Sequence, residues 1–159
     1  MNQQKYTFRK ARPGDFGFLY ELNKITMKNH VVQTWGKWDE KEQMDYLKKI
    51  FKPEDYQIIL VNSKEAGTLV VIEKDNKIKI DRLQIMPEFQ GSGIGTAILD
   101  KLITKTQKNQ KSLCLTVLKS NERAKQLYEK KGFQVTRENN ERYFMSFKES
   151  HQNTSLNTG

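Results

Sequence analysis

The six residues Gln90-Gly91-Ser92-Gly93-Ile94-Gly95 carry the first chemical signal in the chain. Glycines at alternate positions cost conformational entropy that alanines would not. An apolar stretch ending at Met86-Pro87 precedes them, and Ile94, Ile98, Leu102 and Ile103 follow at helical spacing. A strand, a bare loop and a helix start together make an anion site. The first amides of a helix lack intrahelical acceptors, the helix dipole adds partial positive charge, and glycines let successive N–H groups converge on a phosphate. A tight strand-to-helix turn with no ligand is the other reading of the same residues. Two known phosphate loops are excluded. Thr96 stands where a P-loop needs Gly-Lys. It is also a poor match for the last small residue of a dinucleotide-binding fingerprint, and the preceding strand belongs to a meander.

Three further groups have types and spacing suited to chemistry. Asn121 and Tyr128 lie seven residues apart, close to two helical turns, and so share a helix face. Asn121 is equally an N-cap, and Tyr128 a half-buried core aromatic. Asp81 sits where the alternation of its strand slips: Ile78 and Ile80 occupy even positions, Leu83 and Ile85 odd ones. A β-bulge near Asp81-Arg82 produces that slip and is the favoured reading; a strand end buried on both faces is the alternative. Thr34-Trp35-Gly36-Lys37-Trp38-Asp39-Glu40 sets two tryptophans beside acids. They sandwich an acceptor or hold a cation over their rings, or else they seal the core.

These residues need elements to position them. Tyr6–Ala11 reads as a first strand, with a helix from Phe16 to about Asn29 on the spacing of Phe18, Leu19, Leu22, Ile25 and Thr26. The stretch from Val31 to Trp38 reads as irregular. Asp39 caps a second helix with Glu42 three residues on. Residues 56–62 and 67–75 read as strands separated by Ser63–Gly67, and 77–86 as a third. After the glycine loop and its helix come strand 112–118, a helix ending at Gly132, and a hairpin around Asn139-Asn140. The fold class is α+β, a mixed and largely antiparallel sheet with a crossover. Residues 1–150 form one domain, and 151–159 a polar C-terminal tail.

The totals limit the partners. The chain has 159 residues, 28 basic against 19 acidic, and a net charge of +9. That charge favours anionic partners without choosing among them. The basic residues are interleaved with acids and no nucleic-acid motif appears, so a nucleic-acid partner is not expected. Cys114 is the single cysteine and reads as an inert core thiol. His30 and His151 lack a cluster, so no metal is expected. No apolar run approaches membrane-spanning length and no leader pattern is visible. The expectation is a soluble cytoplasmic protein with no membrane partner.

Gln90, Gly93 and Gly95 match Gln-x-x-Gly-x-Gly, and here the chain resembles the GNAT-type N-acetyltransferase family. Leu83–Leu99 looks like its acetyl-CoA loop, Asn121–Gln134 like its second conserved block, and Phe8–Leu22 like its opening strand and helix. The likeness runs from about Tyr6 to Lys148. It implies the GNAT acyl-CoA N-acyltransferase fold, with helices on both faces of the sheet. It implies acetyl-CoA as cosubstrate, with the pyrophosphate on the amides of Gln90, Gly91, Ser92, Gly93, Ile94, Gly95 and Thr96. Leu83, Gln84 and Ile85 would bind pantetheine and the acetyl carbonyl as an added strand would. Asn121 would lie near pantetheine and Tyr128 near the sulfur. Arg123 and Lys125 either meet CoA phosphates or are solvated.

The reaction so implied is direct attack of a primary amine on the thioester, without a metal. A phenol, with an ordinary pKa of about 10, stays protonated at neutral pH and can donate to the departing thiolate. Asp81 ranks first as base, ahead of Asp39, Glu40 and a water chain. Trp35, Trp38, Asp39 and Glu40 fall where similar enzymes wall the acceptor cleft. The acceptor is a small-molecule, peptide or protein amine, and dimers are common in similar proteins. The competing reading is a non-catalytic acyl-CoA-binding sensor on the same fold.

Overall fold

The computed structural model describes residues 4–148, so the expected tail at 151–159 lies outside the described residues. The chain runs β1 (Thr7–Lys10), α1 (Phe16–Trp35), α2 (Glu40–Ile50), β2 (Tyr56–Val61), β3 (Lys64–Lys74), β4 (Lys77–Ile85), α3 (Ile94–Lys108), β5 (Ser112–Leu118), α4 (Glu122–Lys130), β6 (Phe133–Glu138) and β7 (Arg142–Phe147). The strands form one sheet in the order β1-β2-β3-β4-β5-β7-β6. Only the β4–β5 pair is parallel. Its strands are joined through α3, as a parallel pair requires a crossover.

Strand alternation divides the apolar residues between two cores. On one face Ile59, Leu69, Ile78, Ile80, Leu113 and Leu115 pack under α3 and α4 with Ile94, Ile98, Leu99 and Phe133. On the other face Tyr56, Ile58 and Val70 pack under α1 and α2 with Leu19, Leu22 and Leu47. Leu22 and Ile58 are wholly buried, each contributing about 1.5–3 kcal/mol through removal of apolar surface from water. Cys114 turns to the opposite face from Leu113 and Leu115 and is half-buried, not a core thiol.

Two local expectations are corrected. The stretch after Asn29 is not irregular: α1 continues to Trp35 and stops at Gly36, whose φ of 90° is left-handed and whose N–H donates to Val32 O at 2.8 Å. A glycine after the last turn is a sufficient stop, and tertiary contact overrides the weak helix propensity of Val31-Val32. The β2–β3 connection is also shorter than Ser63–Gly67. Asn62 and Ser63, with φ of 51° and 66°, make a two-residue turn of the kind that matches strand twist. Lys64, Glu65, Ala66 and Gly67 already belong to β3.

The slip in β4 is a bulge. Val70 faces Arg82 while Val71 faces Ile80, leaving Asp81 as the extra residue. Before it Ile78 and Ile80 point under α3; after it Leu83 and Ile85 do. β4 pairs with β5 only from Lys77 to Ile80. Beyond the bulge the two strands part, and the sheet carries a V-shaped opening at its centre.

Candidate functional site

The opening between β4 and β5 is the floor of a cleft of about 970 Å³. α1 crosses its mouth with Asn23, Met27, Val31 and Trp35, each four residues after the last and so on one helix face. That stripe is about 18 Å long at the helical rise. α2 adds Glu42 and Tyr46, β7 adds Arg142 and Phe144, and α4 with its N-cap contributes Asn121, Ala124 and Tyr128 from the other side of the sheet. The cleft therefore joins the two faces through the gap where ladder bonds stop.

α1 is fastened across this gap at two points, near its middle and near its C-terminal end. Asn23 Oδ1 accepts from Arg82 Nη1 at 3.0 Å and from Gln84 Nε2 at 2.9 Å, which ties the helix to β4. Toward the other end Ser120 Oγ donates to His30 O at 3.0 Å and lies 3.0 Å from Thr34 Oγ1. Ser120 follows β5, so the helix spans from one arm of the V to the other.

The exposed edge of β4 has a defined polarity. Met86 N donates to Ala66 O at 2.8 Å, and the Gln84 carbonyl oxygen faces Gly67 so closely that a Cβ there would clash with it. Gln84 and Met86 thus turn their main-chain groups to β3. Since these groups alternate along an antiparallel ladder, Leu83 and Ile85 turn theirs to the open side. Gln90 Nε2 donates to Ile85 O at 2.8 Å, joining the glycine loop to this edge.

The loop owes its shape to two requirements. Gly91 and Gly93 have φ of 77° and 87°, a region that side chains disfavour. Gly95 has a different reason: a Cβ there would stand 3.3 Å from Ile85 Cδ1. Gln4 N donates to Ser92 O at 3.1 Å and Ser92 Oγ to Phe89 O at 2.6 Å, which hold the loop from outside. Among the described residues the amides of Gly91 to Thr96 donate to no protein acceptor. The first helical bond of α3 comes from Ala97 N to Gly93 O at 3.0 Å.

Of the residues singled out from sequence, Asp81, Leu83, Gln84, Asn121, Tyr128, Trp35 and Asp39 line the cleft. Ile85 and the loop from Gln90 to Thr96 adjoin its β4 end. Tyr128 packs edge-on to Phe133 at 5.7 Å, and burial holds its phenol above the ordinary value. Asn121 Oδ1 accepts from Ala124 N at 3.3 Å, so the side chain caps α4. Asp81 lies 3.7 Å from Lys79 Nζ.

The two tryptophans separate. Trp35 is 46% exposed, and the Arg142 guanidinium lies 5.2 Å from its ring centre. Trp38 turns into the core against Tyr20, 6.5 Å between centres. Glu40 follows it there and bonds Tyr20 Oη and Lys24 Nζ; the Lys24 contact holds its carboxyl below the usual range. Asp39 Oδ1 accepts from Glu42 N at 2.9 Å and caps α2.

Arg82, Asn23, Tyr46 and Arg142 were not found by sequence reasoning. The slip at Asp81 was the available signal for Arg82, since a bulge re-aims the side chain beside it. Among the described residues no group of three or more His, Cys, Asp and Glu is placed to hold a metal, and no helix is long and apolar enough to cross a membrane.

Residues 23–148 match a family model described as an acetyltransferase (GNAT) domain. No curated protein matches the chain significantly. Solved structures of the same shape include the PaiA N-acetyltransferase of Thermoplasma acidophilum in complex with coenzyme A. It is 19% identical with a TM-score of 0.72, over 92% of this chain and 100% of that one. A GCN5-related N-acetyltransferase of Rhodopseudomonas palustris is 14% identical with a TM-score of 0.70, over 94% and 99%. Arabidopsis thaliana Naa50, in complex with the bisubstrate analogue CoA-Ac-MVNAL, is 21% identical with a TM-score of 0.60, over 91% and 99%.

Proposed function

The chain belongs to the GNAT acetyltransferase family, and from that premise we propose that it moves an acetyl group from acetyl-CoA to a primary amine by direct attack. One observation carries the reading: the parted strands β4 and β5 meet a run of free amides, Gly91 to Thr96, at the start of α3. Such a run fits a diphosphate, and the free edge at Leu83 and Ile85 fits an extended amide-containing arm, as a strand would add to a sheet. The Thermoplasma neighbour of the same fold binds coenzyme A, which supports the same assignment.

The residues present divide the work. The thioester arrives from the α3–α4 face and the amine from the α1–α2 face, and they meet in the gap. The ammonium of the acceptor gives one proton to Asp81 or to water, and the amine then attacks the carbonyl carbon. An outward N–H of Leu83 or Ile85 stabilises the oxyanion. As the C–N bond completes, the second amine proton leaves and the C–S bond breaks. Tyr128 gives its phenolic proton to the thiolate and recovers one from the proton released by the amine. The net change converts an ammonium and acetyl-CoA into an N-acetyl amine, CoA thiol and one proton. Raised by burial, the phenol is the protonated form this role needs.

The test is calorimetry with CoA and acetyl-CoA on the folded chain, followed by thiol release with a panel of primary amines. Binding with turnover is expected. Binding with no turnover for any amine assigns the chain to the sensor reading, and no heat with either form overturns the site.

A further inference from the structure

The bulge in β4 places two consecutive residues of opposite charge on one face. Arg82 pairs with Val70, whose side chain lies in the core under α1, and so points to α1. There its Nη1 meets the neutral Oδ1 of Asn23 at 3.0 Å. Among the described residues no carboxylate lies within ion-pairing distance of it; the partner of Asp81 is Lys79, and Asp15 takes Arg9. Arg82 is half-buried, so its guanidinium is held in place and left with unused donors. Asp81 is the added residue of the bulge and opens on the same cleft, which Tyr46 of α2 also lines. Burial in the α1–α2 core holds the Tyr56 phenol above its ordinary value, opposed by the nearby Arg82 and reinforced by the charge of Asp81.

We propose that the acceptor is a free α-amino acid with an apolar side chain, its carboxylate on Arg82 and its amine at Asp81. The proposal rests on the acetyl-transfer reading above and specifies the acceptor of that site. An α-amino acid is the smallest primary amine whose anionic group is adjacent to its nucleophile, and adjacent residues of opposite charge match it. A planar guanidinium with free donors suits the two oxygens of a carboxylate. Beyond Asn23 the stripe on α1 continues as Met27 and Val31, which gives an apolar side chain a place to lie. A peptide amine has an uncharged amide where this carboxylate would be and leaves Arg82 unpaired in the cleft, a costly state for a half-buried charge.

The experiment measures thiol release from acetyl-CoA with leucine, methionine and phenylalanine. The matching amino-acid amides, the decarboxylated amines and short peptides beginning with the same residues are run beside them. Calorimetry with CoA is performed on the same samples of the full chain. Free amino acids are expected to exceed their amides by about ten- to a hundredfold in kcat/KM, mostly through KM, as for loss of one charge-assisted contact. Arg82→Gln loses the same factor for the acids and little for the amides, and Arg82→Lys recovers part of it. Equal or better turnover of amides or peptides overturns the proposal. So does an equal loss for acids and amides in Arg82→Gln, and so does CoA binding with no amino acid acetylated. Absence of CoA binding is a separate result, which removes the underlying reading as well.

Discussion

Ile85 Cδ1 stands 3.3 Å from the position a Cβ on Gly95 would take. The last residue of β4 and the second residue of α3 therefore sit in contact, and the glycine loop between them is folded tightly. This contact sets the free amides of the loop against the free edge of the strand, two surfaces that a single extended ligand would have to touch at once.

Gly93→Ala tests the loop. Its φ of 87° would have to be held with a side chain, at a cost of about 1–2 kcal/mol. Denaturant unfolding should show that loss. Calorimetry should show a weaker CoA complex beyond it, because the amides converge only while the turn is kept. A variant equally unstable but with unchanged CoA affinity would separate the loop from binding.

Tyr128→Phe should reduce kcat by about a hundredfold while leaving CoA affinity near its starting value, as expected for loss of a general acid. The pH profile adds a second readout. The phenol donates only when protonated, and burial raises its pKa, so activity should persist to pH values above the ordinary phenol value of about 10 and fall only beyond it. That alkaline limb should be missing from the variant. The folded pKa is the higher one, so the phenol's contribution to stability is complete below the unfolded value and is lost as pH rises through the folded value.

Asn121 has two duties that can be told apart. Asn121→Ala removes the cap on Ala124 N and should cost about 1 kcal/mol in thermal or denaturant unfolding. Asn121→Ser retains a capping oxygen and should restore most of that stability. If Asn121 also meets the pantetheine arm, the serine variant remains weak in CoA binding; if the two properties recover together, capping is its whole role.

Acid sensitivity should centre on Asp15. Its two oxygens each receive an Arg9 nitrogen at 2.8 Å, and Arg12 N donates at 2.7 Å. The Arg9 hydrogen bond, followed by that of the Arg12 amide, holds the carboxyl below its usual value against the opposing effect of burial. Its stabilisation is thus present above the unfolded value of about 3.9 and is lost as pH falls through the lower folded value. Asp15→Asn should cost about 1–2 kcal/mol at neutral pH, since partial solvent exposure screens the pair. The variant should also show a flatter acid limb in urea unfolding followed by circular dichroism.

Much of this architecture was legible because it rests on local rules. The slip between Ile80 and Leu83 pointed to the bulge, since an extra residue moves the apolar set to the other positions. The spacing of Ile94, Ile98 and Leu102 marked α3, and Gly132 marked the end of α4. What stayed hidden depends on contacts far apart in sequence. Val31-Val32 looked unfit for helix, yet that turn is held by Ser120. Trp35 and Trp38 looked equivalent, because nothing local says that α1 continues through one and ends before the other. Arg82 was named only as a neighbour of the bulge, and only the fold sets it against Asn23 without a carboxylate. The Asp39 cap was legible from Glu42 three residues on, but the capture of Glu40 by Lys24 was not, since Lys24 lies on another helix.

α1 grips β4 through Asn23 and the far arm through Ser120. It works as a crossbeam over a doorway from which the masonry between the jambs has been left out. The bulge opens that doorway, and the lintel braces its width. If the proposed amine acceptor enters there, loosening the Ser120 fastening would let the jambs drift, and selectivity for its size would relax before the fold itself gave way.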